Sequence, residues 1–328
     1  MGSQTDTLER LDPGSRVAII RLRSLGDCVL STPAIRLLKQ ARPDLQVAVV
    51  VEPRFAGVFE GNPGSSDVVR VLPPEIAAVR AFKPVLCLNL HGGPRSAVLT
   101  LLSGARFRAG FDIFRPGFVY NTRIPTAQEI LGVRRRVHTA EHAAAAMFYL
   151  GVPMAALINS VPRAQLPAPA GRSKYAPDEP YAVIHPMAAT SEKTWPSQNF
   201  VALAEYIQSA LGLRPVTIAG AGEDLSAFNK WRTVTGAPLP EVARLMRDAA
   251  FFAGNDSGPA HVAAAFGVPQ VVFFGPSDSE VWAPWRTRAE ILKAPGAINS
   301  ISSISVAEAI QAIERLRVEI TSTRVQTS

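Results

Sequence analysis

The chain has 328 residues, 47% of them hydrophobic and 19% charged. That length suits two domains with separate cores, and that balance excludes a disordered or fibrous chain. The net charge of +7 is uneven: residues 1–165 carry 20 basic and 12 acidic side chains, a net +8, whereas residues 166–328 carry 14 and 15, a net −1.

A basic half favours an anionic partner: a phosphorylated lipid or sugar, a membrane surface, or nucleic acid. The aromatic-basic and zinc-finger signatures of nucleic-acid binding are absent, so no nucleic-acid partner is expected. Residues 1–15 are polar, lack the apolar region of a signal peptide and read as a disordered tail, which sets the expectation of a cytoplasmic protein. No apolar run reaches the roughly 18 residues that span a bilayer.

Residues 16–20, RVAII, make a buried strand by composition. The loop RLRSLGD and a helix over 28–41 follow, with Pro33 in its first turns, and then a second strand over 47–51. This β–loop–α–β opening is that of a doubly wound sheet, whose ligands gather at the carboxyl ends of strands. The loop lacks G-x-G-x-x-G, so a nicotinamide oxidoreductase is not expected. Asp27 stands at the mouth of the first strand, where a helix cap or a partner for the helix dipole is the plainer role for a carboxylate. Cys28 and Cys87 lack metal-ligand spacing and read as reduced packing thiols.

The pattern continues with a short strand at 68–72, a helix at 74–82, a strand at 85–90 ending in HGGP, a helix at 95–103 and an edge strand at 106–111. Residues 112–137 read as a basic loop, with Arg115, Arg123 and a run of three arginines at 134–136. A helix over 138–150 carries Glu141 and His142 in structural roles. The proline-rich stretch 161–180 holds an interdomain linker, placed at 166–180, between an N-terminal domain at 16–165 and a C-terminal one at 181–328.

The second half repeats the logic of the first, and two such halves imply a cleft between them. A strand at 181–185 runs into the loop carrying Thr190, Ser191 and Lys193, followed by a helix at 197–211, a strand at 215–219 ending in GAGE, and a helix at 239–250. The most informative stretch is 255–278, NDSGPAHVAAAFGVPQVVFFGPSD. Pro259 suits the first turn of a helix, Gly267 stops it, and 270–274 is a short buried strand. The free N–H groups of Ser257 and Gly258, backed by the helix dipole, make a site for phosphate, framed by Asp256 and His261. Capping is the alternative role for the Asp and Ser, and packing for the His. An amphipathic helix over 305–320 closes the chain.

These motifs, in order, resemble the ADP-heptose:lipopolysaccharide heptosyltransferases, glycosyltransferase family 9. The resemblance rests on IIRLRSLGDCVLSTPA, NLHGGPRS, LLSGARFRAGF, HPMAATSEKTWP, IAGAGED and NDSGPAHVAAAFGVP. It implies an α/β fold of GT-B architecture, two Rossmann-like domains facing across a cleft, with acceptor in the first and nucleotide-sugar in the second. It implies an inverting transfer of heptose from an ADP-sugar to a lipopolysaccharide inner-core or related glycolipid acceptor, with no metal and no cofactor beyond the co-substrate. Asp27 matches the catalytic base. Thr190, Ser191, Lys193, Glu223, Asp256, Ser257, Gly258 and His261 fall to the donor, and Ser24, His91, Arg95, Arg115 and Arg123 to the acceptor. The basic half then faces the cytoplasmic side of the inner membrane as a peripheral protein. A sugar-nucleotide epimerase or hydrolase of the same fold, or a non-catalytic sugar-nucleotide or glycolipid binding module, are the alternatives.

Overall fold

The computed structural model describes residues 5–61, 69–154, 161–167, 170–294 and 300–327. The chain divides into two compact units, 1–167 and 168–328. Residues 1–4 of the expected tail, Val68 and residues 168–169 of the expected linker lie outside the described residues.

The first unit is built on six parallel strands: β1 (Arg16–Ile20), β2 (Gln46–Val50), β3 (Val69–Leu72), β4 (Leu86–Asn89), β5 (Phe107–Phe111) and β6 (Thr122–Ile124). Their order across the sheet is β3-β2-β1-β4-β5-β6. Helices α1 (Leu25–Ala41), α2 (Ile76–Phe82), α3 (Pro94–Leu102), α4 (Ala127–Leu131) and α5 (Thr139–Leu150) make the connections and cover the sheet. The central strands are uninterrupted runs of small and β-branched apolar residues because both faces are covered.

The second unit repeats the plan with β7 (Tyr181–His185), β8 (Arg214–Ala219), β9 (Arg232–Thr235), β10 (Phe251–Asn255), β11 (Gln270–Phe274) and β12 (Ala289–Lys293). All are parallel, in the order β12-β11-β10-β7-β8-β9. Helices α6 (Ser197–Leu211), α7 (Leu239–Arg247), α8 (Gly258–Phe266), α9 (Ser279–Trp282), α10 (Val306–Arg315) and α11 (Arg317–Thr327) complete it. Its core centres on Trp195, which stacks on Phe273 at 4.1 Å and meets Phe200 edge-on at 4.9 Å. Each unit thus has the doubly wound order 3-2-1-4-5-6, whose switch point lies between its first and fourth strands: β1 and β4, then β7 and β10.

Three expectations are corrected. Residues 5–15 are not a free tail: Leu8 and Leu11 are buried, Thr5 N donates to Tyr149 O at 2.8 Å, and Arg42 donates to the carbonyls of Leu8 and Leu11. Two leucines in a polar stretch are enough to dock it on the end of α5. The division between the units, after Pro167, falls within the expected linker 166–180, whose flanks are packed: Leu166 is buried, and Ser173 donates to Glu241 at 2.9 Å. The stretch 112–137 is not one loop and β5 is not the edge, because β6 and α4 lie within it and β6 is outermost. The closing helix is two, divided at Leu316.

α1 begins three residues earlier than expected, which puts Pro33 in its interior. A proline there removes the N–H that would reach Val29 O, and the Thr32 hydroxyl donates to that carbonyl instead, at 2.8 Å.

Candidate active site

At the switch point of the first unit, β1 ends in Ile20 and leads through Arg21 to Ser24, which opens α1. Asp27 lies in the first turn of that helix. One carboxylate oxygen accepts from the Ser24 N–H at 3.3 Å and from its hydroxyl at 3.0 Å, and the other accepts from Arg21 Nη1 at 3.2 Å. Asp27 remains 23% exposed, whereas the Arg21 side chain is 8% exposed. Burial pulls the Arg21 guanidinium below its ordinary pKa, opposed by the Asp27 carboxylate, and its Nε has no hydrogen-bond partner. The carboxylate is therefore held by the start of its own helix, paired with Arg21 and partly open to solvent.

The neighbouring strand end is held by Asn89, fully buried at the end of β4. Its Oδ1 accepts from the N–H groups of His91 and Gly92, and its Nδ2 donates to Ser96 and Tyr120. That lattice fixes the turn HGGP beside Asp27. Burial lowers the His91 pKa first, and the Arg21 charge lowers it further. His142 stacks on Phe111 at 3.9 Å and is pushed down to about 4 by burial and by Arg21. Both imidazoles are neutral at neutral pH. Cys28 and Cys87 are buried thiols pushed up to about 12 by burial, packing residues and not nucleophiles.

Of the residues assigned to an acceptor, Ser24 and His91 therefore belong to this cluster. Arg95 is exposed on α3 and shares Glu52 at 3.7 Å. Arg115 binds the backbone of its own loop, donating to Asp112 O at 2.6 Å. Arg123 sits on the outermost strand and pairs with Asp112 at 2.7 Å. The structure does not bring these last two onto the Arg21–Asp27 pair.

At the switch point of the second unit, β7 ends in His185 and β10 in Asn255. Asn255 is fully buried; its Nδ2 donates to Pro186 O at 2.9 Å and its Oδ1 accepts from Trp195 N at 3.0 Å. This buried amide and the Trp195 ring anchor the loop 186–195 at both ends. Lys193, the last residue of a short 3-10 turn in that loop, reaches Asp256 with its Nζ at 3.3 Å. Asp256 is 8% exposed and Lys193 is 33% exposed, so the ammonium is the open member of the pair.

Ser257 is the N-cap of α8 and leaves its first N–H groups without a side-chain cap. Its hydroxyl instead donates to Asn255 O and lies 3.1 Å from His185 Nδ1. Burial pushes the His185 pKa down to about 4, so this ring is neutral. Gly258 is the first helical residue, and His261 is buried one turn in. An uncapped helix start beside a lysine is suited to a phosphate group.

Thr190 and Ser191 sit at the exposed start of the Lys193 turn. Glu223 follows β8, one strand from β7, and its carboxylate accepts from Gly220 N at 2.5 Å, closing its own turn. Among the described residues no group of three or more His, Cys, Asp or Glu is placed to hold a metal ion. Arg21, Asn89, His185 and Asn255 were not singled out from the sequence. Asn at the last position of a strand before a glycine turn, as at 89 and 255, is the signal that could have found two of them.

The two switch points thus carry a paired carboxylate in the first unit and a lysine beside an uncapped helix start in the second. The model of glycosyltransferase family 9 (heptosyltransferase) matches residues 79–301, more than half of the chain. The chain is 26% identical over 300 residues to lipopolysaccharide heptosyltransferase 3 of Escherichia coli, covering 80% of this chain and 84% of that one. The E. coli ADP-heptose lps heptosyltransferase II superposes with a TM-score of 0.77 at 20% identity, covering 93% of this chain and 99% of that one. E. coli heptosyltransferase WaaC with ADP gives 0.69 at 22% identity, covering 92% and 99%. The chain belongs to glycosyltransferase family 9, as a glycosyltransferase of GT-B architecture.

Proposed function

We propose that this glycosyltransferase moves a heptose from ADP-heptose to an inner-core sugar of lipopolysaccharide, with inversion and without a required metal. The observation that carries this reading is the Lys193–Asp256 pair beside the uncapped start of α8, at the switch point of the second unit. The similar proteins support the donor and the acceptor: one is a lipopolysaccharide heptosyltransferase, and another was solved with ADP.

In this reading the diphosphate of the donor lies on the N–H groups at the α8 start and on the Lys193 ammonium. Both are in place before reaction, so they stabilise the charge that grows on the leaving diphosphate without reorganising. Asp27 accepts the proton of the acceptor hydroxyl. The new bond from that oxygen to the anomeric carbon forms as the bond to the phosphate oxygen breaks, and ADP departs with the electron pair. Attack opposite the leaving group inverts the centre. Asp256 orients Lys193 and faces the donor sugar. Thr190, Ser191 and Glu223 border the nucleotide. Arg21 holds the Asp27 carboxylate toward the acceptor.

The test is calorimetric titration with ADP, UDP and GDP, with and without magnesium, on wild type and Asp27→Asn. The expected result is metal-independent ADP binding, equal in both proteins, with transfer falling by about 10²–10⁴ in the variant. Asparagine keeps an oxygen for the Ser24 N–H, so the helix start survives. Wild-type turnover in the variant would reduce Asp27 to a cap, whereas nucleotide binding with no product from either protein would favour a binding module. Preference for UDP or GDP would move the donor.

A further inference from the structure

The first unit has a cavity at the end of its sheet opposite Asp27. Phe107 opens β5 and Thr122 opens β6, so both lie at the amino ends of parallel strands, whereas Asp27 follows the carboxyl end of β1. The cavity there measures about 460 Å³, within the roughly 300–1,000 Å³ of small-molecule sites. One wall is the docked N-terminal segment, which supplies Thr5, Asp6, Thr7 and Arg10. That wall is fixed by backbone: the Thr5 N–H and hydroxyl both donate to Tyr149 O, and the Leu8 N–H donates to Leu150 O. The opposite wall is fixed by Asn121, whose Oδ1 accepts from Arg108 N at 2.7 Å and whose Nδ2 donates to Arg106 O at 2.8 Å.

The groups these walls leave unused select the ligand. Among the described residues, the Arg106 guanidinium has no ion pair or hydrogen bond, and the hydroxyls of Tyr149 and Thr122 have no partner. Arg106 lies over the Phe107 ring at 5.1 Å, a contact that steadies the cation without neutralising it. Arg10 pairs with Asp6 at 3.0 Å, but both side chains are more than half exposed, and such a pair is weak enough to yield to a stronger anion. Arg123 also lines the cavity, but its guanidinium is committed to Asp112 at 2.7 Å. The lining thus holds three arginines against one acid, Asp6. Burial raises the Tyr149 pKa, so the phenol stays a hydrogen-bond donor. Surplus positive charge calls for an anion, and Arg meets a phosphate with two parallel N–H bonds. Free hydroxyls beside it call for an anion that itself carries hydroxyls.

We propose that this cavity binds a phosphorylated sugar, with its phosphate on Arg106 and Arg10 and its hydroxyls on Tyr149 and Thr122. The site is separate from the Asp27 centre and independent of the donor and acceptor proposed above. It also gives the docked N-terminal segment a role, because that segment supplies Arg10 and one whole wall.

The experiment is calorimetric titration of the full chain with glucose 6-phosphate, glucose and inorganic phosphate, on wild type, Arg106→Gln and Tyr149→Phe. Glucose 6-phosphate is expected to bind wild type more tightly than either fragment does. Arg106→Gln is expected to weaken it about tenfold or more, and Tyr149→Phe about two- to tenfold. Arg106 is exposed, and Tyr149→Phe keeps the carbonyl that holds Thr5, so both variants are expected to keep the wild-type melting profile and ADP affinity. No binding by wild type, glucose binding as tight as its phosphate, or unchanged affinity in both variants overturns the proposal. So does displacement of glucose 6-phosphate by ADP, which would move it to the second unit. Phosphate also occurs on lipid headgroups, and flotation with phosphatidic acid vesicles separates that source: capture by vesicles without binding of the soluble sugar phosphate overturns the site. Failure of ADP alone to bind sinks the donor assignment and leaves this cavity intact.

Discussion

His185 ties the pH behaviour of the second unit to its binding loop. Burial alone pushes its pKa from 6.5 down to about 4, and the neutral ring sits 3.1 Å from the Ser257 hydroxyl at the start of α8. The unfolded chain binds a proton at this site near pH 6.5, whereas the folded chain binds it only near about 4. Between those values the unfolded state carries more protons, so stability rises with pH. The contribution is full above about 6.5 and is lost as pH falls toward about 4. His142 adds a contribution of the same sign in the first unit, caused by burial and then by Arg21. We expect urea midpoints of wild type to fall through that window and those of His185→Gln or His142→Gln to fall less steeply. Parallel pH profiles for wild type and both variants would remove these imidazoles as the cause. Neither group was legible as important in the sequence. Lys193 and Asp256 stand in recognisable motifs, but His185 and Arg21 acquire their roles from burial, which a linear reading of the chain does not show.

At the scale of elements, the loop 190–193 is seated on the end of β11. A Cβ at Gly275 would lie 2.3 Å from Glu192 O and 3.4 Å from Lys193 Cα, both backbone atoms, so the glycine is what lets the loop approach. Alanine there must displace the turn that carries Lys193. Losing one charge-assisted contact of about 1.5–3 kcal/mol weakens ADP by roughly ten- to a hundredfold, read by titration of Gly275→Ala. Unchanged affinity would mean that this loop does not hold the nucleotide. Elements with strong apolar runs, such as β1, β7 and β11, were readable almost to the residue. Those that escaped are edge strands. β9, RTVT, buries only Val234, and β12, AEILK, has no fully buried member, so neither presents the continuous run that marks a central strand. β6 is three residues long and lies among turn residues. Edge positions relax the hydrophobic pattern: β6 fell in a stretch read as a loop, and β9 and β12 were given no element, whereas β3, also at an edge, was found.

Across the whole molecule, the duplication of one sheet order in two units has a thermodynamic consequence. Each unit has its own six-stranded sheet and its own apolar cluster: the Trp195–Phe200–Phe273 core in the second, and Ile20, Val50, Cys87 and Leu99 in the first. Their charge also differs, since all of the positive excess lies in the first half and the second is slightly acidic. Units built this way unfold with their own enthalpies and need not share one transition. The proposed nucleotide contacts, Lys193, Ser257 and Gly258, all belong to the second unit. A ligand at 100 times its Kd stabilises the body that binds it by about 2.7 kcal/mol, a rise of roughly 5–10 °C for a domain of this size. Scanning calorimetry should therefore resolve two components, only one of which moves when ADP is added. Asp27→Asn should leave that shift intact, because its carboxylate lies in the unit that does not hold the nucleotide. A single component, or two that rise together, would show that the units unfold as one cooperative body; loss of the shift in Asp27→Asn would place the nucleotide against Asp27 and reverse the assignment of donor and acceptor to the two sheets.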